Sequence, residues 1–574
     1  MTSYLRSLFL FLAHFIPAIF LLSCANQIPP EGGPTDTSPP TIISTYPAPY
    51  TLHYDDNRLE LAFDKYVDHR SAEESIFISP YIADVEFDWS GKDLEVTFPG
   101  MLRKNTTYVV SVGTDVRDQR PTPNRMAQAF TFAFSTGAAI DRGGIRGRVF
   151  PMKSTDLPDG IMIFAYQLAN LNPDTLNPRT LKPDYITQTG KNGSFYLQHL
   201  ELGPYRIIAV KDEYRNLLYD PETDEFGVPP HDYLLTATDT LQDNVLMRLA
   251  KEDTTAPRLV RADPRDIHHV TFEFSESIDT NARWPVTMSI TDTLSKDQLK
   301  VYSVFQKLPS LTTFTAVTAR QDSTKGYLFT VGSARDLAGI PIDRKANSLV
   351  FRGSSDADTL KPMVSATSVQ DSSHGVELMP AIQIQFSDAV QRASFSNAIV
   401  LEDTSGNRVP SSLTWLNDAA CGLQIINGFS SRTWYRLSIL TYKAMDWSGR
   451  KFRDSLKVVR FETLDAEALS SIEGTVVDTN AAERTANIVV TADGVDPKNQ
   501  KSYSTAANQN GNFLIGGIEE GRYIVQAFKD RNLNGKYDAG HLLPFIGSER
   551  FNYASDTLKV RARWPLEGVR IELQ

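Results

Sequence analysis

An all-β chain of tandem β-sandwiches is the fold class this sequence predicts, on three observations. From Thr41 onward, short alternating runs are broken by Pro, Gly, Asp and Asn, and no long segment carries a 3.6-residue apolar period. One order of strand-like runs recurs three times along the chain. A second kind of unit recurs twice, at a constant offset of 318 residues. At 574 residues the chain is long enough for several domains, and 41% hydrophobic residues make it a folding sequence.

The chain opens on residues of a different kind. Arg6 precedes an apolar run from Leu8 to Leu22, which ends in a small residue and a cysteine. Residues 1–23 read as a secretory signal peptide and residues 24–37 as a Pro/Gly-rich tether. Leu21-Leu22-Ser23-Cys24 resembles a bacterial lipobox, which implies acylation (palmitate among the chains) of Cys24 and attachment to a membrane. An uncleaved helix and plain secretion are the rival readings, because a spanning helix needs roughly 20 apolar residues. Ala25 follows the cysteine where aspartate is associated with inner-membrane retention, so the resemblance implies an outer-membrane lipoprotein of a Gram-negative cell envelope.

In the first sandwich, Arg58–Phe63, Leu94–Phe98 and Thr107–Val112 read as half-buried strands. Its landmarks return further on. Phe63-Asp-Lys-Tyr-Val67 corresponds to Phe274-Ser-Glu-Ser-Ile278 and Phe386-Ser-Asp-Ala-Val390, and Asp115-Val-Arg-Asp118 to Asp336-Leu-Ala-Gly339 and Asp446-Trp-Ser-Gly449. The units open on Ser38-Pro-Pro-Thr-Ile42, Thr255-Ala-Pro-Arg-Leu259 and Leu360-Lys-Pro-Met-Val364. These residues resemble the bacterial Ig-like domain of S-layer proteins (the SbsA type), over 38–137, 255–353 and 360–464. Two departures stand out: Gln119 where a glycine is expected, and Arg352-Gly353 in place of Ser-Thr.

The second kind of unit aligns Asn192-Gly-Ser-Phe195 and Gly203-Pro-Tyr205 with Asn510-Gly-Asn-Phe513 and Gly521-Arg-Tyr523. Ile145-Arg-Gly147-Arg-Val149 and Ile472-Glu-Gly474-Thr-Val476 open the two copies. The pattern resembles the prealbumin-like, carboxypeptidase-regulatory-like β-sandwich, over 140–250 and 470–574. There glycine takes a positive-φ turn while Phe and Tyr face the core. The expected order is five sandwiches in series, three Ig-like and two prealbumin-like, linked as an elongated rod.

The net charge of −11 is spread without a basic block, which argues against nucleic acid as a partner. Of the two cysteines, Cys421 stands in an apolar stretch and reads as a buried small hydrophobe. Asp530-Arg-Asn532-Leu-Asn534-Gly535-Lys536-Tyr-Asp538 has the start of a calcium loop. Asp530, Asn532, Asn534 and Asp538 would offer side-chain oxygens and Lys536 its carbonyl. The twelfth position is His541 in place of glutamate, so only weak Ca²⁺ binding is expected, and an Asn-Gly turn closed by local amides is the alternative. The other copy keeps Asp212, Asn216 and Asp220.

Catalytic residues are not identified: the sequence has no His-Glu-x-x-His, Gly-x-Ser-x-Gly or P-loop pattern, and it predicts no enzyme. His268 and His269 are adjacent on a strand and point to opposite faces, so they cannot chelate one ion together. Trp89, Trp284, Trp415, Trp434, Trp447 and Trp564 are candidates for stacking on sugars, each set against a place in the core, with Trp447 expected at the surface. The function implied is a non-catalytic, lipid-anchored scaffold or binding module whose partner is another envelope protein or a glycan. Alternatives are a glycan-binding accessory of a nutrient-uptake system and a hydrolase with an unrecognised carboxylate pair.

Overall fold

The structure, a computed structural model, describes residues 36–573 apart from 154, 170, 281–285, 396, 480–486, 498–499 and 555–556. The signal peptide, Cys24, most of the tether and Trp284 lie outside the described residues. The chain divides into two compact units. One comprises residues up to Ile78 with Ile82–Ile140, the other Ser79–Tyr81 with Asp141–Gln574. Among the described residues, ten sheets pair off within the stretches 42–135, 143–248, 259–352, 364–463 and 470–573, and none draws strands from two stretches. No helix there is long and apolar enough to cross a membrane.

In the first unit the strand Arg58–Phe63 buries Leu59, Leu61 and Phe63 and leaves Arg58, Glu60 and Ala62 half-buried. It pairs with Asp93–Thr97, setting Leu61 opposite Leu94 and Leu59 opposite Val96. Those residues meet Tyr108, Val110, Phe132 and Phe134 of the facing sheet in one core. Thr107–Val112 corrects the half-buried reading, since all six of its residues are buried. It is the middle strand between Ile76–Ser79 and Phe130–Ser135, and a strand covered on both faces has no call for polar alternation.

The sandwiches of 143–248 and 470–573 share one plan. The closing strand Leu241–Arg248 runs parallel to the opening strand Gly143–Phe150, as Leu566–Leu573 does to Ser470–Asp478. Phe195, Phe513, Tyr205 and Tyr523 are buried as their repeated motif predicts. Each tyrosine hydroxyl donates to a backbone carbonyl four residues earlier, Glu201 at 2.9 Å and Glu519 at 2.8 Å. Gly193 and Gly511 take φ of 77° and 79°, and a Cβ on either would stand 2.2 Å from the carbonyl oxygen of Val149 or Val476.

Within the second unit the sandwiches do not simply follow one another as a rod. The 143–248 and 470–573 sandwiches, far apart in sequence, pack together: Phe150 lies 4.6 Å from Tyr553 and 5.7 Å from Phe551, centroid to centroid. Arg248 reaches across to hydrogen-bond Gln526 and Tyr553, under the rings of Tyr537 and Phe551 at 4.6 and 4.9 Å. Arg206 holds Asp232 through two bonds of 2.9 and 2.8 Å and lies 3.7 Å from the Phe545 ring centroid. Aromatic faces and desolvated guanidinium groups supply the surplus that joins them.

Replacing Gly511 by alanine sets a Cβ against a backbone carbonyl at a positive φ. Urea unfolding of the full chain is expected to show a loss of about 1–3 kcal/mol in the transition of that sandwich. Alanine at the neighbouring Asn510, which is exposed, should change it by under about 0.5 kcal/mol.

Candidate functional site

The predicted stacking residues divide by environment. Trp89 is half-buried in the first unit, stacked on His69 at 4.1 Å, and its Nε1 donates to Glu73 at 2.8 Å. Trp415 packs against Phe386 and Phe395 at the edge of its core, and Trp434 meets His374 edge-on at 5.1 Å. Trp447 is exposed as expected, at 40%, and Trp564 is more exposed still, at 73%. Cys421 is fully buried opposite Ile384, and burial pushes its thiol up to about 12.

Trp447 borders a recess at the joint of two sandwiches. A cavity of about 300 Å³ lies between the 259–352 and 364–463 sandwiches, lined by His268, His269, Tyr302, Asp388, Asp446 and Trp447 among others. The Trp447 and Tyr302 rings, one from each sandwich, stack at 6.0 Å with planes 18° apart. Beside them Phe305, Val317, Ala389 and Ala419 form an apolar seam across the joint.

The floor of the recess is ionic. His269 is 3% exposed, with Nδ1 2.8 Å from Asp266 and Nε2 3.1 Å from Asp388 of the next sandwich. Arg265 adds a 3.2 Å contact to Asp388. Burial alone would lower the imidazole's affinity for protons, but the hydrogen bonds to Asp266 and Asp388 outweigh it and bring His269 to about 9. The same bonds hold both carboxyls below the usual carboxylate range against the opposing effect of burial. His269 is thus an imidazolium donating at both nitrogens. With both nitrogens turned to carboxylates it is not placed as a general base, and Asp358 stands beside it as well as Asp266. His268 turns elsewhere, its Nδ1 3.1 Å from the Thr318 carbonyl, in keeping with the reading that the pair cannot chelate together.

Asp388 belongs to a pattern that runs through the sandwiches of 42–135, 259–352 and 364–463. The isolated bridges Val67–Asp118, Ile278–Asp336 and Val390–Asp446 are equivalent. So are the bonds from the amides of Asp64, Ser275 and Ser387 to the carbonyls of Thr41, Arg258 and Met363. These contacts correct one correspondence: Asp118, not Asp115, matches Asp336 and Asp446. Its turn is longer, the capped amide being Asn124 in place of the residue four positions on. All three aspartates are buried, at 3%, 2% and 1% exposure.

A second aspartate lies five residues before Thr41, Arg258 and Met363. These are Asp36, Asp253 and Asp358, each followed by threonine. The repeated Asp-Thr just ahead of each opening proline was the available signal for a residue the motif reading passed over. In the first unit, Lys65 lies 3.0 Å from Asp36 and 3.9 Å from Asp118. In the last Ig-like unit, Arg450 joins Asp358 at 2.6 Å to Asp446 at 2.8 Å.

Residues 36–136 and 358–463 match the family model described as bacterial Ig-like domain. Both matches begin at or beside these opening aspartates. No curated protein matches the chain. Among solved structures, the N-terminal part of the bacterial S-layer protein SbsC aligns at 14% identity and TM-score 0.16, over 36% of this chain and 44% of that one. The L,D-transpeptidase LdtMt1, solved with imipenem, aligns at 13% and 0.15, over 24% and 57%. The major pilin subunit BcpA of Bacillus cereus aligns at 10% and 0.14, over 76% and 99%. The chain thus spans less than half of the SbsC fragment, and likenesses at these scores carry nothing about what it binds.

The Asp530 loop is brought together by its own hydrogen bonds. Asp530 is 4% exposed and accepts from the amides of Asn534 and Gly535 at 3.1 and 2.8 Å. Asn532 and Asn534 direct their amide nitrogens to Asp538, at 2.5 and 3.2 Å, and Lys536 donates its amide to Asn534. Glu549, which the motif does not include, accepts from the amides of Arg531 and Asp538 at 2.6 and 3.1 Å. In the other copy Asp224 does the same for Glu213 and Asp220. His541 turns away and stands 3.7 Å from Glu252.

The sign of the pH effect at the joint follows from His269. Its proton affinity is raised on folding, so its contribution is complete below about pH 6.5 and is lost as pH rises through about 9. The loss is on the order of 3 kcal/mol at most. Thermal melts should show the transition of the joined pair falling between pH 7 and 10 in the wild type, and a much flatter profile in His269→Gln.

Proposed function

We propose that this chain is a non-catalytic cell-envelope lipoprotein that acts as a scaffold or binding module. It is held by acyl chains on Cys24 at the outer membrane of a Gram-negative cell. The observation that supports this reading most directly is the use made of its buried ionisable groups. His269, Asp266, Asp388, Arg450 and Asp446 are spent on joining and closing sandwiches, in an arrangement that leaves no free base beside a nucleophile. Intact-mass analysis of the membrane fraction is the test. The expected mature species starts at residue 24 with added acyl mass, and Cys24→Ala abolishes it; a wild-type species that keeps residues 1–23 contradicts the proposal.

The partner we propose is a glycan of the envelope, on the strength of the exposed Tyr302–Trp447 pair at the mouth of the recess. Exposed aromatic rings of this kind suit the apolar face of a sugar. Trp447→Ala is expected to lower retention on immobilised envelope polysaccharide at least tenfold while leaving the melting temperature within about 2 °C. Retention unchanged in that variant shifts the reading to a protein partner.

A further inference from the structure

The middle Ig-like unit lacks what its two relatives have. Glu276 occupies the position of Lys65, and Ile340 that of Arg450, four residues after the buried aspartate in each case of the latter pair. Both cations that close the other two junctions are therefore gone, and an acid has been added. Asp253, Glu276 and Asp336 each bring an oxygen within 4.8 Å of the others. Among the described residues none of the three forms an ion pair, although Arg258 is near enough to favour the ionised form of Glu276.

A second observation makes this more than an acidic cluster. Asp336 is 2% exposed; its Oδ1 accepts from the Ile340 amide at 2.7 Å, and its Oδ2 is buried with no hydrogen-bond partner. An unsatisfied carboxylate oxygen in that setting is costly, and native structures fill such positions. Asp118 and Asp446 show how, since there the corresponding second oxygen faces Asn124 and Arg120 or the Arg450 guanidinium. Burial, followed by the charge of Asp253, raises the proton affinity of both Asp336 and Glu276.

We propose that Asp253, Glu276 and Asp336 bind a calcium ion, which stands in this unit where Lys65 and Arg450 stand in the other two. Three carboxylates are a hard, all-oxygen donor set. Calcium accepts ligands at about 2.3–2.6 Å in variable geometry, so oxygens on opposite sides of it stand roughly 4.6–5.2 Å apart, whereas magnesium holds its ligands about 0.3–0.5 Å closer and in stricter octahedra. Three carboxylate oxygens within 4.8 Å of one another are close enough to share one ion, and the irregular set suits the ion of variable geometry. Asp253 lies just beyond the second sandwich, whose closing strand ends at Arg248, so the ion ties that linker to the Ig-like fold beyond it. Its Oδ1 already accepts from the Thr255 amide and hydroxyl at 3.1 and 3.0 Å, which orients it.

The equivalence supplies the experiment. The full chain, stripped with EDTA, is titrated with calcium chloride by calorimetry and by thermal melting, beside Glu276→Lys, Glu276→Gln and Asp538→Asn. The wild type is expected to bind calcium with a rise of several degrees in the transition of this unit. Glu276→Lys should melt at least as high as the calcium-free wild type and lose the calcium response, because it restores the cation seen at position 65. Glu276→Gln, which supplies no cation, should weaken calcium binding at least tenfold even if the lysine variant fails to fold. Asp538→Asn, in the other candidate loop, should leave the response intact. The proposal is overturned by a wild type indifferent to calcium, by a response that survives both changes at Glu276, or by one that Asp538→Asn alone removes.

Discussion

A buried aspartate in each of the first, third and fourth sandwiches sets the terms for the structure around it. Asp118, Asp336 and Asp446 each cap a turn with one oxygen. The other oxygen is left in the interior, where an unpaired charge is costly, so every such turn calls for a positive partner. That requirement reaches back to the opening of the unit, because the partner also holds an aspartate of the entering linker, as Lys65 holds Asp36 and Arg450 holds Asp358. One ionic knot closes the sandwich and anchors the segment that leads into it.

The fold was legible because it rests on short-range pattern. Alternation placed Leu59, Leu61 and Phe63, and the repeated Asn-Gly-x-Phe and Gly-x-Tyr steps placed the turns at Gly193 and Gly511 and the core residues Phe195, Tyr205, Phe513 and Tyr523. The strand Thr107–Val112 was read as half-buried because burial on its second face depends on tertiary cover, which local composition does not encode. The placement of Asp115 against Asp336 failed for a related reason: a longer turn shifted the true partner by three residues, and only the strand bridge reveals it.

The candidate sites were legible in part. Trp447 was placed at the surface by its turn, but its stacking partner Tyr302 comes from a different sandwich, 145 positions earlier in the chain. His269 carried no motif at all, since its two carboxylates, Asp266 and Asp388, lie on either side of a joint. The seam between the second and fifth sandwiches was equally hidden. Phe150, Phe551 and Tyr553 carry no motif, and only Arg248 and the facing sheet supply their surroundings. Pattern within a sandwich is written locally, whereas contact between sandwiches is a property of surfaces assembled from distant residues.

Position 65 and its equivalents 276 and 388 show how a small change at one backbone site alters the role of a whole junction. With lysine there, the two aspartates of the first unit find a cation within their own fold. With aspartate there, the last unit gathers Asp358, Asp388 and Asp446 about Arg450 alone, and Asp388 is met from outside by His269 and Arg265 of the preceding sandwich. The added acid therefore creates the joint: it draws two cations across the boundary and fixes the apolar seam of Phe305, Val317, Ala389 and Ala419 beside them. Glutamate at the middle position, with Ile340 in place of Arg450, leaves three carboxylates with no ion pair among the described residues. Electroneutrality inside a low-dielectric junction must still be met, and what remains is a proton or a metal ion from solution. In this chain the choice of one side chain decides whether a sandwich closes on itself, on its neighbour, or on an ion.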